Sequence, residues 1–123
     1  MTVPPFHMTV AEVGSRVCLV SLSGELDLYV EKETRDALET GDRIGMRTVV
    51  VDLSGVTFMD STICGILASE ANRRHGDGDE LLIVSNGPRT TGVLELAGIN
   101  RVVHIFPTLH EAMQHTLLEP VQQ

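Results

Sequence analysis

The feature that most constrains this chain is a nearly unbroken run of β-branched and apolar residues, TVVVDL, at residues 48–53. A short run of this kind is typical of a strand buried on both faces, as in the middle of a parallel sheet. A second apolar run, LLIV at residues 81–84, has the same character. Because parallel strands need long crossover connections, we expect helices around these two strands.

Segments with helical periodicity do lie between the strand-like runs. From residue 30 to 43, apolar and small residues recur at positions i, i+4, i+7 and i+8, and charged residues occupy the opposite face. We predict further helices at residues 61–75, before Gly98, and from residue 108 onward. Thr108 and Glu111 have the spacing of a capping box at the start of the last helix.

Two strand-like runs open the chain, at residues 6–13 and 16–26, with a turn at Gly14-Ser15 between them. The first run is the more polar, as expected of an edge strand. A last strand is predicted at residues 102–106. The order is therefore ββαβαβαβα, which predicts an α/β fold with a mixed, mostly parallel five-stranded sheet, an N-terminal hairpin and about four flanking helices.

No repeat, linker or low-complexity segment divides the 123 residues, and this length suits one hydrophobic core. We therefore expect a single domain at residues 6–118. Residues 1–5 contain two prolines and are expected to form a flexible tail, as are residues 119–123.

The charge balance argues against nucleic acid as a partner. The chain has 9 basic and 17 acidic residues and a net charge of −8, whereas nucleic-acid binding relies on Lys and Arg to neutralise phosphates. The cluster Arg73-Arg74-His75 ends a predicted helix, where it complements the helix dipole. No apolar run approaches the roughly 20 residues of a membrane span, and the N-terminus does not resemble a secretory signal. We expect a cytoplasmic protein that binds neither nucleic acid nor membrane.

Motifs for catalysis, cofactors and metals do not occur in this sequence. It has neither a GxxxxGK[ST] phosphate loop nor a GxSxG elbow. His110 and His115 stand at i and i+5, about 140° apart around a helix, so they cannot face one metal ion. Cys18 and Cys64 lie in apolar runs, which indicates buried side chains, although a redox role for a cysteine near a helix N-terminus is an alternative. We predict a protein that is not an enzyme and has no cofactor or metal.

The segment DLSGVTFMDST, residues 52–62, carries the functional prediction. Here a buried strand ends, a short loop crosses the carboxyl edge of the sheet, and a helix begins at or near Ser61. A phosphate on Ser61 would be stabilised by the N–H groups and dipole of the helix N-terminus. Asp60 or Ser61 is also a good N-cap, and Asp-Ser-Thr taken alone indicates only a cap.

The longer segment VVVDLSGVTFMDST resembles the signature of the STAS domains, specifically the bacterial anti-sigma factor antagonists. LSGELD at residues 22–27 and VLELAGINRV at residues 93–102 resemble further family motifs, and the likeness continues into TLHEA. The match runs in order over roughly residues 8–118. It implies the family's fold, a mixed sheet with an opening hairpin and flanking helices.

The resemblance implies that Ser61, directly after the aspartate of FMD, is the phosphoacceptor, with Thr62 as a fallback. In this family the unphosphorylated antagonist binds an anti-sigma factor and frees a sigma factor. The anti-sigma factor is often a GHKL-type serine kinase that phosphorylates and releases the antagonist, and a PP2C-like phosphatase reverses the change. The free antagonist is expected to be a monomer. The residues expected to contact the partner are Asp27, Leu28, Tyr29, Asp60, Ser61, Thr62 and Ile63.

One departure from the family pattern leaves alternatives open. Where family members usually continue Gly-Leu-Gly, this chain has Ile63-Cys64-Gly65. If the first helical turn faces the kinase, Ile63 weakens or redirects docking, whereas if it faces the core, Ile63 is packing. This departure motivates a second reading, a STAS interaction module that is not phosphorylated and either binds an anti-sigma factor constitutively or serves in a larger sensor assembly. A third reading is a nucleotide-binding or hydrolysing protein that uses the edge containing Asp27, Asp60 and Ser61.

Overall fold

A computed structural model of the chain describes residues 6–14, 16–43 and 45–118. The strands are β1 (Phe6–Val13), β2 (Val17–Leu26), β3 (Thr48–Met59), β4 (Glu80–Val84) and β5 (His104–Phe106). The α-helices are α1 (Glu31–Arg43), α2 (Ser61–Gly76), α3 (Pro88–Leu96) and α4 (Leu109–Leu118). The predicted order ββαβαβαβα is confirmed. The tails predicted at residues 1–5 and 119–123, and Ser15 of the predicted turn, lie outside the described residues.

The five strands form one sheet in the order β1-β2-β3-β4-β5. β1 pairs antiparallel with β2 from Phe6↔Gly24 to Val13↔Val17, and the remaining neighbours are parallel. The hairpin turn includes Gly14 in the left-handed region, at φ 70°. The sheet is therefore mixed and mostly parallel, and the more polar β1 lies at its edge, both as predicted.

The core lies on both faces of the sheet. Val49, Val51 and Leu53 of β3 belong to a large buried cluster with α1, α2 and α3, whereas Val50 faces a smaller cluster with Ala112 of α4. These four β3 side chains are at most 1% exposed. The unbroken apolar run of β3 thus has the two-sided burial that its sequence predicts.

β3 is six residues longer than predicted, because the segment expected to be a loop continues to pair with β2. β4 accompanies β3 only as far as Asp52, but β2 remains in register with it up to Leu26↔Met59. Two register shifts give β3 two extra residues over this stretch. As a result Leu53, Val56 and Met59 are buried at every third residue. The sequence pattern does not predict this part of the strand, since buried residues recur at every second position in a regular strand.

Two shorter elements also differ from the sequence prediction. The last strand starts at His104, because Ile99–Arg101 forms a turn of 3-10 helix and Val102 is its C-terminal cap. A second turn of this kind, Leu28–Val30, precedes α1. Gly98, with φ 77°, adopts the left-handed conformation predicted after α3.

Arg74 lies in the last turn of α2 with Arg73 and His75, where the sequence predicts a complement to the helix dipole, and it has a further structural function. Its guanidinium is fully buried and donates hydrogen bonds to the carbonyl oxygens of Met46 (2.8 Å), Arg47 (3.0 Å) and Glu80 (3.1 Å). These carbonyls lie at the amino ends of β3 and β4, or just before them. Arg74 therefore ties α2 to the start of two strands.

Candidate functional site

The candidate site lies where β2 and β3 end side by side. Leu26 and Met59 are in register, and the Asp60 N–H donates to the Leu26 carbonyl oxygen at 3.1 Å. Asp27 and Asp60 are the next residues of the two chain segments. The pairing thus brings LSGELD and FMDST, which are far apart in the sequence, to one edge of the sheet.

Asp60 is the N-cap of α2 and Ser61 is the first helical residue. Asp60 has an extended backbone (φ −98°, ψ 176°), and its carboxylate accepts a hydrogen bond from the Ile63 N–H at 3.2 Å. Ser61 and Thr62 are exposed. The predicted helix start is confirmed, the capping function falls on Asp60, and the Ser61 hydroxyl is accessible from solvent.

Asp27 organises the second segment in the same manner. Its carboxylate accepts from the Tyr29 N–H at 3.0 Å, and its carbonyl accepts from the Val30 N–H at 3.0 Å. The intervening side chains are presented to solvent, with Leu28 59% and Tyr29 83% exposed. Two capped turns, each led by an aspartate, therefore flank the edge that contains Ser61.

Ile63 does not belong to the accessible surface, which corrects the prediction that it contacts a partner. It is 0% exposed and packs in the large core cluster with Leu67 and Cys64. Of the two orientations left open by the sequence, the first turn of α2 directs Ile63 into the core. The departure from the family's glycine is thus a packing change at this position.

Cys64 is likewise buried, as its apolar context predicts. Burial raises the pKa of its thiol, and the neighbouring Asp60 carboxylate raises that pKa further. A raised pKa keeps the thiol protonated and poorly nucleophilic, so the environment of Cys64 is opposite to that of a reactive cysteine. The alternative of a redox role therefore has no support in the geometry.

Phe58 is a residue of this edge that the sequence pattern does not reveal, because the pattern predicts a loop at this position. In the structure Phe58 lies on β3, in register with Glu25, and its side chain is 46% exposed beside the two capped turns. The signal that could have revealed this exposure is the Ser54-Gly55 pair inside an otherwise β-rich segment, since glycine in a strand often marks a bulge.

Within the described ranges, no group of three or more His, Cys, Asp or Glu side chains is arranged to hold a metal ion. None of the helices described there is long and apolar enough to span a membrane.

The sheet order and the opening hairpin are those of a known family of domains. A family model described as "STAS domain" matches residues 8–112. The chain belongs to the STAS domain family. Its curated relatives include the anti-sigma-F factor antagonist RsfB of Mycobacterium tuberculosis, which is 29% identical over 106 residues, covering 86% of this chain and 85% of RsfB.

Solved structures of STAS proteins have the same architecture. An anti-sigma factor antagonist from Mycobacterium paratuberculosis has a TM-score of 0.83 and 27% identity, covering 94% of this chain and 97% of that one. The Bacillus antagonist SpoIIAA in its unphosphorylated form matches with a TM-score of 0.77 and 17% identity, covering 94% of this chain and 100% of that one. The phosphorylated form of SpoIIAA matches with a TM-score of 0.70 and 18% identity, covering 89% of this chain and 99% of that one. These structures share the sheet order and flanking helices of this chain.

Proposed function

We propose that this chain binds an anti-sigma factor while Ser61 is unphosphorylated, thereby freeing a sigma factor, and dissociates once Ser61 carries a phosphate. The proposed partner is a GHKL-type serine kinase, and a PP2C-like phosphatase restores the unphosphorylated state. In this proposal the chain is a regulatory binding protein and not an enzyme.

The observation that carries the proposal is the placement of Ser61. Its exposed hydroxyl stands at the first residue of α2, directly after the capping Asp60, on the edge where β2 and β3 end. A kinase can reach this hydroxyl without unfolding any element. The relatives' name as anti-sigma factor antagonists, and the existence of SpoIIAA in a phosphorylated form, point to the same chemistry.

In phosphoryl transfer, this chain supplies only the accessible hydroxyl of Ser61. The Ser61 Oγ forms a bond to the γ-phosphorus of ATP as the bond to the ADP oxygen breaks, and the hydroxyl proton passes to a base. ATP, Mg²⁺ and the remaining catalytic groups belong to the kinase. Asp60 is a positioning residue in this scheme, since its cap holds the first turn of α2 and hence the backbone of Ser61 in place.

Release of the partner follows from electrostatics at the same edge. A phosphoserine adds about −1.5 to −2 charges at pH 7. These charges arrive beside Asp60 and near Asp27, on a chain whose net charge is already −8. A tenfold loss of affinity requires only about 1.4 kcal/mol. Repulsion and desolvation of a phosphate at a packed interface can supply that amount without a large conformational change.

Each of the two other readings predicts a different experimental outcome. The departure at Ile63 motivated a constitutive, unphosphorylated binder, but Ile63 is buried and does not itself obstruct a docked kinase. The nucleotide-binding reading predicts heat on titrating ATP or GTP into the purified chain without a partner. We expect no such heat.

The test is to incubate the purified chain with candidate anti-sigma kinases from its own genome and with ATP. Phosphate is mapped by intact-protein and peptide mass spectrometry, and complex formation is followed in the same mixtures. We expect a single phosphate on the peptide that contains Ser61, accompanied by release of the partner.

Two variants that differ by one position sharpen this test. Ser61→Ala should abolish phosphorylation, and its complex should persist in the presence of ATP. Thr62→Ala changes the adjacent exposed hydroxyl and should remain a substrate. A stable wild-type complex without phosphate would favour the constitutive binder. Binding to no candidate at all would count against the anti-sigma assignment.

A further inference from the structure

Aromatic side chains are scarce in this chain and are unevenly distributed. It has three phenylalanines, one tyrosine and no tryptophan. Phe6 and Phe106 are partly buried and pack against the two core clusters. Tyr29 and Phe58 are the aromatic residues among the exposed large apolar side chains of the described region, and both lie at the edge that contains Ser61.

The backbone of β3 is irregular in a way that produces this exposure of Phe58. The first register shift falls between the pairs Ser21↔Asp52 and Ser23↔Gly55, and the second between Gly24↔Val56 and Glu25↔Phe58. Bulges re-aim side chains, and they are over-represented beside functional sites. Here they turn Val56 and Met59 into the core and leave Phe58 half exposed and outside both core clusters.

Three acidic residues accompany Phe58 at the carboxyl ends of β2 and β3 or directly after them. Glu25 pairs with Phe58 in register and is exposed, and Asp27 and Asp60 follow at the ends of the same strands. An acidic rim favours a partner whose complementary surface is basic. Desolvated aromatic anchors surrounded by a polar rim carry most of the binding energy in many protein interfaces.

We infer that Phe58 is an anchor of the partner interface, inserting into an apolar pocket of the anti-sigma factor that is rimmed by Lys or Arg side chains facing Glu25, Asp27 and Asp60. The inference rests on the proposed function, because it names the chemistry by which that partner is recognised. Phe58 contributes binding and takes no part in phosphoryl transfer.

The experiment compares two exposed apolar residues in binding to the anti-sigma factor that the wild-type chain captures. Phe58→Ala should raise the dissociation constant about tenfold or more. Leu96→Ala removes a 92% exposed leucine at the end of α3 and should change the constant by less than about twofold. Leu96→Ala should keep the wild-type KM and kcat for phosphorylation, whereas Phe58→Ala should raise KM.

A second measurement needs no substitution of Phe58. Incorporated fluorophenylalanine gives separate ¹⁹F signals for Phe6, Phe58 and Phe106. On adding the partner, the Phe58 signal should shift and lose its broadening by a soluble paramagnetic agent, whereas the Phe106 signal should not. A Phe58 ring that stays accessible in the complex, or a Phe58→Ala variant that binds within about twofold of wild type, overturns the anchor.

The basic rim is tested by ionic strength. Glu25→Gln should slow association and flatten its salt dependence, whereas Glu95→Gln, an exposed acid on α3, should leave both unchanged. Association that is insensitive to salt would overturn the basic rim. If the wild-type chain binds no anti-sigma factor, the proposed function itself fails. Binding that survives Phe58→Ala rejects the anchor alone.

Discussion

At the residue scale, Asp60 combines two properties that substitution can separate. Its carboxylate caps α2 through the Ile63 N–H, and its negative charge lies close enough to Cys64 to raise the pKa of that thiol. The cap needs only an oxygen acceptor, whereas the electrostatic effect needs the charge. Asparagine keeps the acceptor and removes the charge, and alanine removes both.

We expect Asp60→Ala to lower the free energy of unfolding by about 1 kcal/mol, because the Ile63 N–H loses its acceptor. Asp60→Asn should stay within a few tenths of a kcal/mol of wild type, since asparagine is an equally good N-cap. Urea unfolding followed by circular dichroism measures both. Equal losses for the two variants would mean that the charge, and not the cap, stabilises the helix.

The two cysteines predict a pH dependence of stability. Burial raises the pKa of Cys18 and of Cys64 above the ordinary 9.0, although Arg74 partly offsets this for Cys18. The folded state therefore holds these protons more tightly than the unfolded state. The resulting stability is fully present below about pH 9 and is lost as the pH rises through the folded-state pKa.

Unfolding free energies measured between about pH 8 and pH 10 should accordingly fall more steeply for wild type than for the double variant Cys18→Ala, Cys64→Ala. The variant also controls for lysine and tyrosine titration, which it shares with wild type. In the native protein below pH 9, thiol reagents should label both cysteines far more slowly than in urea. Rapid labelling of native Cys64 would contradict its burial.

At the element scale, the extension of β3 along β2 depends on one close approach between the two strands. A Cβ placed on Gly55 would lie 2.7 Å from the Cβ of Ser23, which is shorter than carbon atoms tolerate. The contact falls within the bulged stretch that orients Phe58. Glycine at this position is therefore required by the spacing of the strands.

Gly55→Ala should destabilise the protein by roughly 1–3 kcal/mol, because the strands must move apart to admit the methyl group. The matched control is Gly65→Ala, in the interior of α2, where a Cβ meets nothing within 4 Å. Alanine there should stabilise by up to about 1 kcal/mol through helix propensity. Chemical denaturation distinguishes the two. If Gly55→Ala left the free energy of unfolding unchanged, β2 and β3 would have to separate freely at the bulge.

The attachment of α2 to the sheet depends on Arg74. We expect Arg74→Met, which keeps the length of the side chain, to lower stability by about 2–5 kcal/mol, because three carbonyl oxygens lose the charged donor of a fully buried side chain. Arg73→Met removes the exposed neighbouring guanidinium, which pairs with Glu70, and should cost less than about 1 kcal/mol. Similar losses for both variants would contradict a specific structural function of Arg74.

At the scale of the whole molecule, the proposed switch combines a stable fold with a local change of charge. Ser61 lies outside the core, and the elements around it are held by the strand pairing, two aspartate caps and the buried Arg74. A phosphate on Ser61 therefore has no direct contact with the core through which to rearrange the sheet. The response to phosphorylation should remain near the edge of β2 and β3.

Ser61→Asp and Ser61→Asn test this at equal side-chain size. The aspartate variant should bind the anti-sigma factor about tenfold or more weakly than the asparagine variant, a difference of about 1.4 kcal/mol or more. Amide chemical shifts of Ser61→Asp should change around Asp27 and Asp60 and stay unchanged in the cluster beneath α4. Equal affinities would reject the electrostatic switch, and shifts spread across the sheet would indicate a conformational one.

Three features could be predicted from the amino-acid sequence alone: the order of elements, the two-sided burial of β3 and the start of α2 at Ser61. These features depend on local patterns: an unbroken apolar run, helical periodicity and an aspartate before a helix. The family motif around Ser61 is likewise a local string of residues. Each can be recognised without knowing which distant segment lies beside it.

Four features depend on contacts between distant segments and became known from the three-dimensional structure. They are the length of β3, the orientation of Ile63, the burial of Arg74 and the exposure of Phe58. The bulges follow from the register with β2, and the orientation of Ile63 follows from how α2 lies on the sheet. Both are relations between residues far apart in the chain. The edge that joins Asp27 to Asp60 exists because two strands separated by a helix end in register, and no local pattern encodes that alignment.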